Sequence, residues 1–314
     1  MITVYRKVEA NLEILGSSLS NMEENSWVNV ENPTPEEIER LSKELNVPSD
    51  FFTDPLDPDE RSRIEKEDGS ALIILRIPQF VGIDAEVPFI TLPVGIILTN
   101  RVVITLSKQR NKIIEDFVNG RVRNFTTQRK SRFVLHIFLR TAILYLNYLK
   151  EINKRTNEVE NELHRSMKNE ELIKLLNVEK CLVYFITSLR SNELMMERLQ
   201  KTTILNLTDE DVDFLDDVII ENKQAIEMAN IYSNILSGMM DAFASVISNN
   251  LNVVMKFLTS VTIILMIPTL IASFYGMNVK LPFQNSPHAF LITLGISTVL
   301  SALGVFIFIR RKWF

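Results

Sequence analysis

Twelve small, polar or flexible residues in the C-terminal part of the chain recur in steps that alternate four and three. They are Asn234, Gly238, Asp241, Ser245, Ser248, Asn252, Met255, Thr259, Thr262, Met266, Thr269 and Ser273. Such steps average about 3.5 residues, which keeps one stripe of a helix facing a partner along a left-handed supercoil. Helical seams ordinarily carry Leu and Ile; this one carries hydroxyls, amides and thioethers, while Ile263, Ile264, Leu265 and Ile271 lie mostly off it. Two readings stand open. Small residues let membrane helices pack closely. Alternatively, several copies of the helix surround a wet axis that passes ions, with Asp241 attracting cations near its mouth. Just past the stripe, Tyr275-Gly276-Met277-Asn278 supplies a glycine for a turn or close approach and an amide oxygen that can accept from a cation's water shell. Upstream, Asp209, Glu210, Asp211, Asp213, Asp216 and Asp217 put six carboxylates into nine residues. That is either a solvated helix start or, between copies, a cluster that repels unless cations neutralise it.

The elements that must position these groups are set by composition. The chain has 314 residues, 46% apolar and 23% charged, enough for roughly two domains. From residue 257 to the end there are four cations and no carboxylate, so residues 1–256 carry a net charge of −9. Between Lys256 and Lys280 lie 23 uncharged residues, and between His288 and Arg310 lie 21 more. About 20 helical residues cross a ~30 Å hydrocarbon layer, so both runs read as membrane spans joined by a short loop. Arg310, Arg311 and Lys312 follow the second span and Lys256 precedes the first, against one cation, Lys280, in the loop. The positive-inside rule then puts both termini in the cytoplasm of a multi-pass protein of the cell membrane. The first residues hold no apolar run of the kind a cleaved secretory signal needs.

Upstream of the spans, residues 1–125 read as a small mixed α/β domain, 126–256 as a helical and stalk region, and 257–314 as the membrane hairpin. Strands are expected at 26–30, 71–77, 85–91 and 95–106, the last broken at Thr99-Asn100-Arg101. Thr34, Pro35 and Glu37 spell a capped helix start. Residues 131–200 contain neither Pro nor Gly and predict two long helices that turn near 164–169. Thr208 followed by carboxylates starts a third helix, and no proline follows until Pro268. That helix is expected to run from the stalk straight through the membrane, a length of about 100 Å. The Glu-rich stretch 158–171 reads as a solvated helix face.

A Tyr-Gly-Met-Asn at the end of the first of two C-terminal spans, behind an acidic domain, resembles the CorA magnesium-transporter family. The likeness is densest from SNNLNVVMKFLTSVT through LIASFYGMN and continues in the closing RRKWF. The resemblance implies an α+β cytoplasmic domain joined to long stalk helices and a two-helix transmembrane hairpin, assembled as a funnel-shaped homopentamer. It implies that Gly276, Met277 and Asn278 form the selectivity filter, and that Asn252, Met255, Leu258 and Met266 face the pore. All of these four but Leu258 already belong to the stripe, whose Asp241, Thr259, Thr262, Thr269 and Ser273 complete the expected pore lining. It further implies a regulatory Mg²⁺ held between subunits by Asp217, with Asp54 as partner and Asp213 beside it in the acidic cluster. Mg²⁺ is then both cargo and regulator. One departure stands out: the loop reads Val279-Lys280-Leu281-Pro282, without the acidic residues many members carry there.

The chemistry is coherent. Mg²⁺ sheds its waters reluctantly, and a ring of carboxamides can hydrogen-bond a hydrated ion without stripping it. A divalent cation gains about 4.6 kcal/mol per 100 mV of inside-negative potential, and the chain has no G-x-x-x-x-G-K-[ST] loop to supply other energy. His136, His164 and His288 lack ligand spacing, and Cys181 reads as a small buried hydrophobe. No nucleophile–base pair appears, so an enzyme is not expected, and an acidic body is a poor nucleic-acid binder. Expected partners are further copies of the chain, membrane lipid and divalent cations. Two alternatives remain: a Zn²⁺, Co²⁺ or Ni²⁺ transporter of the same architecture, and a membrane-anchored helical scaffold or sensor without ion flux.

Overall fold

The computed structural model describes residues 1–8, 11–83, 85–166, 169–283 and 285–311. It divides into two compact units, Met1–Ser237 and Gly238–Phe314.

The first unit is built on one seven-stranded sheet. Its strands are β1 (Ile2–Val8), β2 (Asn11–Gly16), β3 (Trp27–Glu31), β4 (Arg63–Glu67), β5 (Ser70–Phe80), β6 (Phe89–Leu98) and β7 (Val103–Ser107). They lie in the order β2-β1-β3-β7-β6-β5-β4, with β3 and β7 parallel and every other pair antiparallel. The central strands are apolar on both sides because both faces are covered. On one face Val28, Leu72, Ile74 and Ile104 pack with Leu41, Phe51 and Phe52 from helices α1 (Pro35–Leu45) and α2 (Asp50–Thr53). On the other, Trp27, Ile73, Leu75 and Ile96 pack with Phe117 of α3 (Lys112–Val118), Phe133 and Phe138 of α4 (Lys130–Ser166), and Met195 and Leu199 of α5 (Asn169–Gln200). Leu215 and Val218 of α6 (Asp209–Tyr275) join the same core.

The expected capping box at α1 is present: Glu37 N donates to Thr34 Oγ1 at 3.2 Å and Thr34 N donates to Glu37 Oε2 at 3.0 Å. The turn after Leu98 is also where the sequence put it, closed by Thr99 N donating to Val102 O at 3.1 Å. The strand expected at 85–91 begins only at Phe89, after Pro88, which accepts from Val81 N. It runs on through Pro93 to Leu98, so that it and the first half of the strand expected at 95–106 are the single strand β6. Strands β1, β2 and β4 were not anticipated; β4 reads RIEKE and lies at the sheet edge, where apolar alternation is not required. The Glu-rich stretch is not uniformly solvated: Glu171 is buried, with Lys174 Nζ at 2.9 Å.

The second unit holds the end of α6, a helix of 67 residues that runs unbroken through Pro268, and α7 (Ala289–Arg310, 22 residues). Both are long and apolar enough to cross a membrane. In α6, Ser260 is buried, and a Cβ added at Gly304 of α7 would lie 3.6 Å from Ile267 Cδ1 and 3.9 Å from Ile264 Cγ1. The two apolar helices therefore pack through Ile264 and Ile267 on one side and a glycine on the other.

Candidate functional site

All twelve stripe residues, from Asn234 to Ser273, are exposed in the single chain. The side of α6 marked by Ser260, Ile264, Ile267 and Ile271 is turned about 160° from the stripe, at 3.6 residues per turn. The oxygen-rich face thus points away from the helix's own hairpin partner. Three of its six hydroxyls bond back to their own helix. Ser245 Oγ donates to Asp241 O at 3.0 Å, Thr262 Oγ1 to Leu258 O at 2.8 Å and Thr269 Oγ1 to Leu265 O at 3.1 Å. A hydroxyl whose proton is spent on the backbone offers its lone pairs outward, so these positions present acceptors along the stripe. Acceptors without donors suit a cation and its waters. Asn252, Met255, Leu258, Thr259 and Met266 are exposed alongside them, and Asp241 is exposed one stretch upstream.

At the end of α6 the backbone closes with Gly276 N donating to Ala272 O at 2.9 Å and Met277 N to Phe274 O at 3.1 Å. Gly276 is not in the left-handed region, and an added Cβ would lie 3.4 Å from Ala272 O, an ordinary contact. Its own chain does not require a glycine there, by either backbone conformation or space. Tyr275 Oη donates to Pro282 O at 3.0 Å and ties the start of the loop to its middle. The loop then turns at Phe283, whose φ is +66°. Met277 and Asn278 are exposed, and the Asn278 carboxamide has no hydrogen-bond partner among the described residues. A free amide on a tethered loop is what a water-shell contact needs. Lys312, Trp313 and Phe314 of the basic tail lie outside the described residues.

The acidic helix start separates into different roles. Asp211 is fully buried: its carboxylate accepts from Ser131 Oγ at 3.0 Å and lies 3.4 Å from both Arg129 Nη2 and Arg132 Nη1. It also closes a capping box with Thr208, each backbone N donating to the other's side chain at 3.4 Å. Burial pushes its carboxyl up, but the Ser131 and Thr208 hydrogen bonds and Arg129 outweigh that and hold it below the usual range. Asp216 accepts from Gln200 Nε2 at 2.6 Å. Asp213 and Asp217 are exposed and have no ion pair among the described residues. Asp54, at the end of α2, is engaged by Arg63 Nη2 at 2.6 Å. Among the described residues no three acidic, His or Cys side chains gather closely enough to hold a metal, so one chain does not bring Asp54, Asp213 and Asp217 together. The sequence marked Thr208 as the helix start but read Asp211 as part of a solvated or cation-binding cluster. Its burial departs from that reading, because Ser131, Arg129 and Arg132 cover it from another helix and the segment before it. The Arg63 partner of Asp54 was equally illegible.

Of the weaker candidates, the cysteine falls as read. Cys181 is buried, its thiol within 3.3 Å of Asn177 O and pushed up by burial. His136 is half-buried against the Phe214 ring and lowered by burial and by Arg132. His288 precedes α7 and is exposed; the His164 side chain lies outside the described residues.

Fold and site together define a class: a protein with a mixed-sheet domain and two C-terminal apolar helices, the first carrying an acceptor-rich face turned away from the second. The chain belongs to the CorA-like Mg²⁺ transporter family, whose match spans residues 22–311. It is similar to the cobalt/magnesium transport protein CorA of Methanocaldococcus jannaschii, 29% identical over 297 residues, which covers 91% of this chain and 90% of the relative. The magnesium transport protein CorA of Helicobacter pylori is 26% identical over 308 residues, covering 93% and 92%. Among solved structures, the complete CorA magnesium transporter of M. jannaschii superposes with a TM-score of 0.85 at 26% identity, covering 100% of this chain and 99% of the other. The full-length CmaX protein matches with a TM-score of 0.74 at 16% identity, a likeness of fold alone.

Proposed function

We propose that this protein is a channel-like Mg²⁺ transporter in the cell membrane, passing the ion inward down the membrane potential. The observation that carries the proposal is the stripe: an exposed, acceptor-lined face of α6 opposite the side that meets α7. In this reading five copies place Asn252, Met255, Leu258, Thr259, Thr262, Met266, Thr269 and Ser273 around a common axis, with Asp241 at the cytoplasmic end. Gly276, Met277 and Asn278 ring the outer end, where Asn278 holds the hydrated ion by its amide. Gly276 would then give room for neighbouring copies to approach. Both termini are cytoplasmic, and residues 1–125, 126–256 and 257–314 serve as sensing, transmitting and conducting parts. Regulatory Mg²⁺ between copies, at Asp217 with Asp213 and Asp54, holds the pore shut when internal Mg²⁺ is high. Asp54 would first have to release Arg63, so the weight of that site falls on Asp217 and Asp213. The lack of His or Cys on the stripe favours Mg²⁺ over Zn²⁺.

The pore test uses the single cysteine. In a Cys181→Ala background, Met266→Cys and Thr259→Cys should make Mg²⁺ uptake sensitive to a water-soluble thiol reagent, whereas Ile267→Cys should not. Uptake that stays insensitive in all three would mean that the ion does not pass along the stripe.

A further inference from the structure

A second feature shares no residue with the stripe or with the acidic start of α6. Between α5 and the β4–β5–β6 end of the sheet lies a groove of about 910 Å³, lined by Arg61, Arg63, Arg76, Arg190 and Arg198 against one carboxylate, Asp59. Five guanidinium groups around one groove stand out in a chain with 39 acidic and 34 basic residues. Arg63 is neutralised by Asp54 and Glu60. Arg76 has no direct ion pair among the described residues. Its donors go to Pro58 O at 2.9 Å, Glu60 O at 2.7 Å, Thr91 O and Oγ1 at 3.0 Å and Ser188 Oγ at 3.1 Å, all uncharged oxygens. Its side chain is half-buried, so a positive charge sits at the groove with no direct ion pair, the carboxylates of Asp57, Asp59 and Glu60 acting on it only from a distance. Burying a charge without a partner is costly, and a bound anion would offset that cost. On the walls, Arg61, Arg190 and Arg198 are exposed, and their guanidinium groups have no ion pair or hydrogen bond among the described residues. Tyr184 adds a half-exposed ring.

We propose that this groove is a binding site for an oligophosphate anion, carried either by a nucleotide or as inorganic polyphosphate. Arg61, Arg190 and Arg198 supply the forked donors that match phosphate oxygens, and Arg76 supplies attraction from behind them without direct contact. The groove is also of the size that small-ligand sites have. This goes beyond ion conduction and does not rest on it.

The test is titration of full-length protein in detergent, with EDTA present, by inorganic tripolyphosphate and separately by ATP. Saturable binding is expected for at least one of them. Arg190→Glu combined with Arg198→Glu should weaken it roughly tenfold or more, whereas the same charge change at exposed Arg101 and Arg123 should change it less than about twofold. ATP binding more tightly than tripolyphosphate, with the difference lost in Tyr184→Ala, would make the ligand a nucleotide; equal affinities would make it a bare oligophosphate. No saturable binding, or equal weakening by the control pair, overturns the proposal. So does dissociation of the oligomer in the Arg190→Glu, Arg198→Glu variant if the parent binds neither anion, since the groove would then be a contact between copies.

Discussion

Asp211 and Asp217 stand on one helix in opposite surroundings. Asp211 is buried beneath Arg129, Arg132 and Ser131, while Asp217 is exposed and unpaired among the described residues. Replacing Asp211 by Asn should therefore cost stability, about 2 kcal/mol at neutral pH, because hydrogen bonds to a buried charged group are lost, Arg132 loses its ion pair and Arg129 keeps only Glu210. The sign with pH follows from its depressed carboxyl. The contribution is complete above the unfolded value of about 3.9 and disappears as pH falls through the lower folded value. Thermal unfolding of the full-length protein in detergent should show Asp211→Asn melting below the parent at neutral pH, with the gap closing in acid. A gap that persisted or widened in acid would show that the carboxylate charge is not what stabilises this corner. Asp217→Ala should behave the other way: unchanged melting, and Mg²⁺ uptake that internal Mg²⁺ no longer inhibits. Inhibition that survives the change would remove Asp217 from the sensor.

At the scale of elements, the segment carrying Asp54 is held by a close approach. Gly95 of β6 lies under Pro55, and a Cβ built there would fall 2.5 Å from Pro55 Cγ. Gly95→Ala should push that segment off the sheet, lowering stability by about 1–3 kcal/mol, as overpacking does. The measurement is again thermal unfolding; a neutral result would mean that the segment shifts freely. The elements differ in how far the sequence revealed them. The long helices were legible because 131–200 lack breakers and because Thr208 with three carboxylates marks a start. Covered strands β5, β6 and β7 were legible from apolar runs and the Thr99–Arg101 turn. Edge strands β2 and β4 were not, since an edge exposes polar side chains and leaves no periodicity to read, and β1, paired on both sides, was missed as well. The stripe was legible in full, because its spacing is a property of one helix. The direction it faces was not: that depends on Ile264 and Ile267 packing at Gly304, a contact between separate helices. Gly276 gives the same lesson in reverse, as its own chain supplies no reason for it.

At the scale of the whole molecule, the central claim is that copies of this chain enclose a selective path for hydrated Mg²⁺ driven by voltage alone. The 67-residue α6 runs from the acidic helix start to Tyr275, whose hydroxyl tethers the loop at Pro282. The direct test is Mg²⁺ entry into proteoliposomes under an inside-negative potential, with Asn278→Ala measured alongside. Uptake that grows with the potential, and that loses rate or ion selectivity in Asn278→Ala, is the predicted result. No uptake by a well-folded oligomer, even with Mg²⁺ removed from the sensor side, would contradict it.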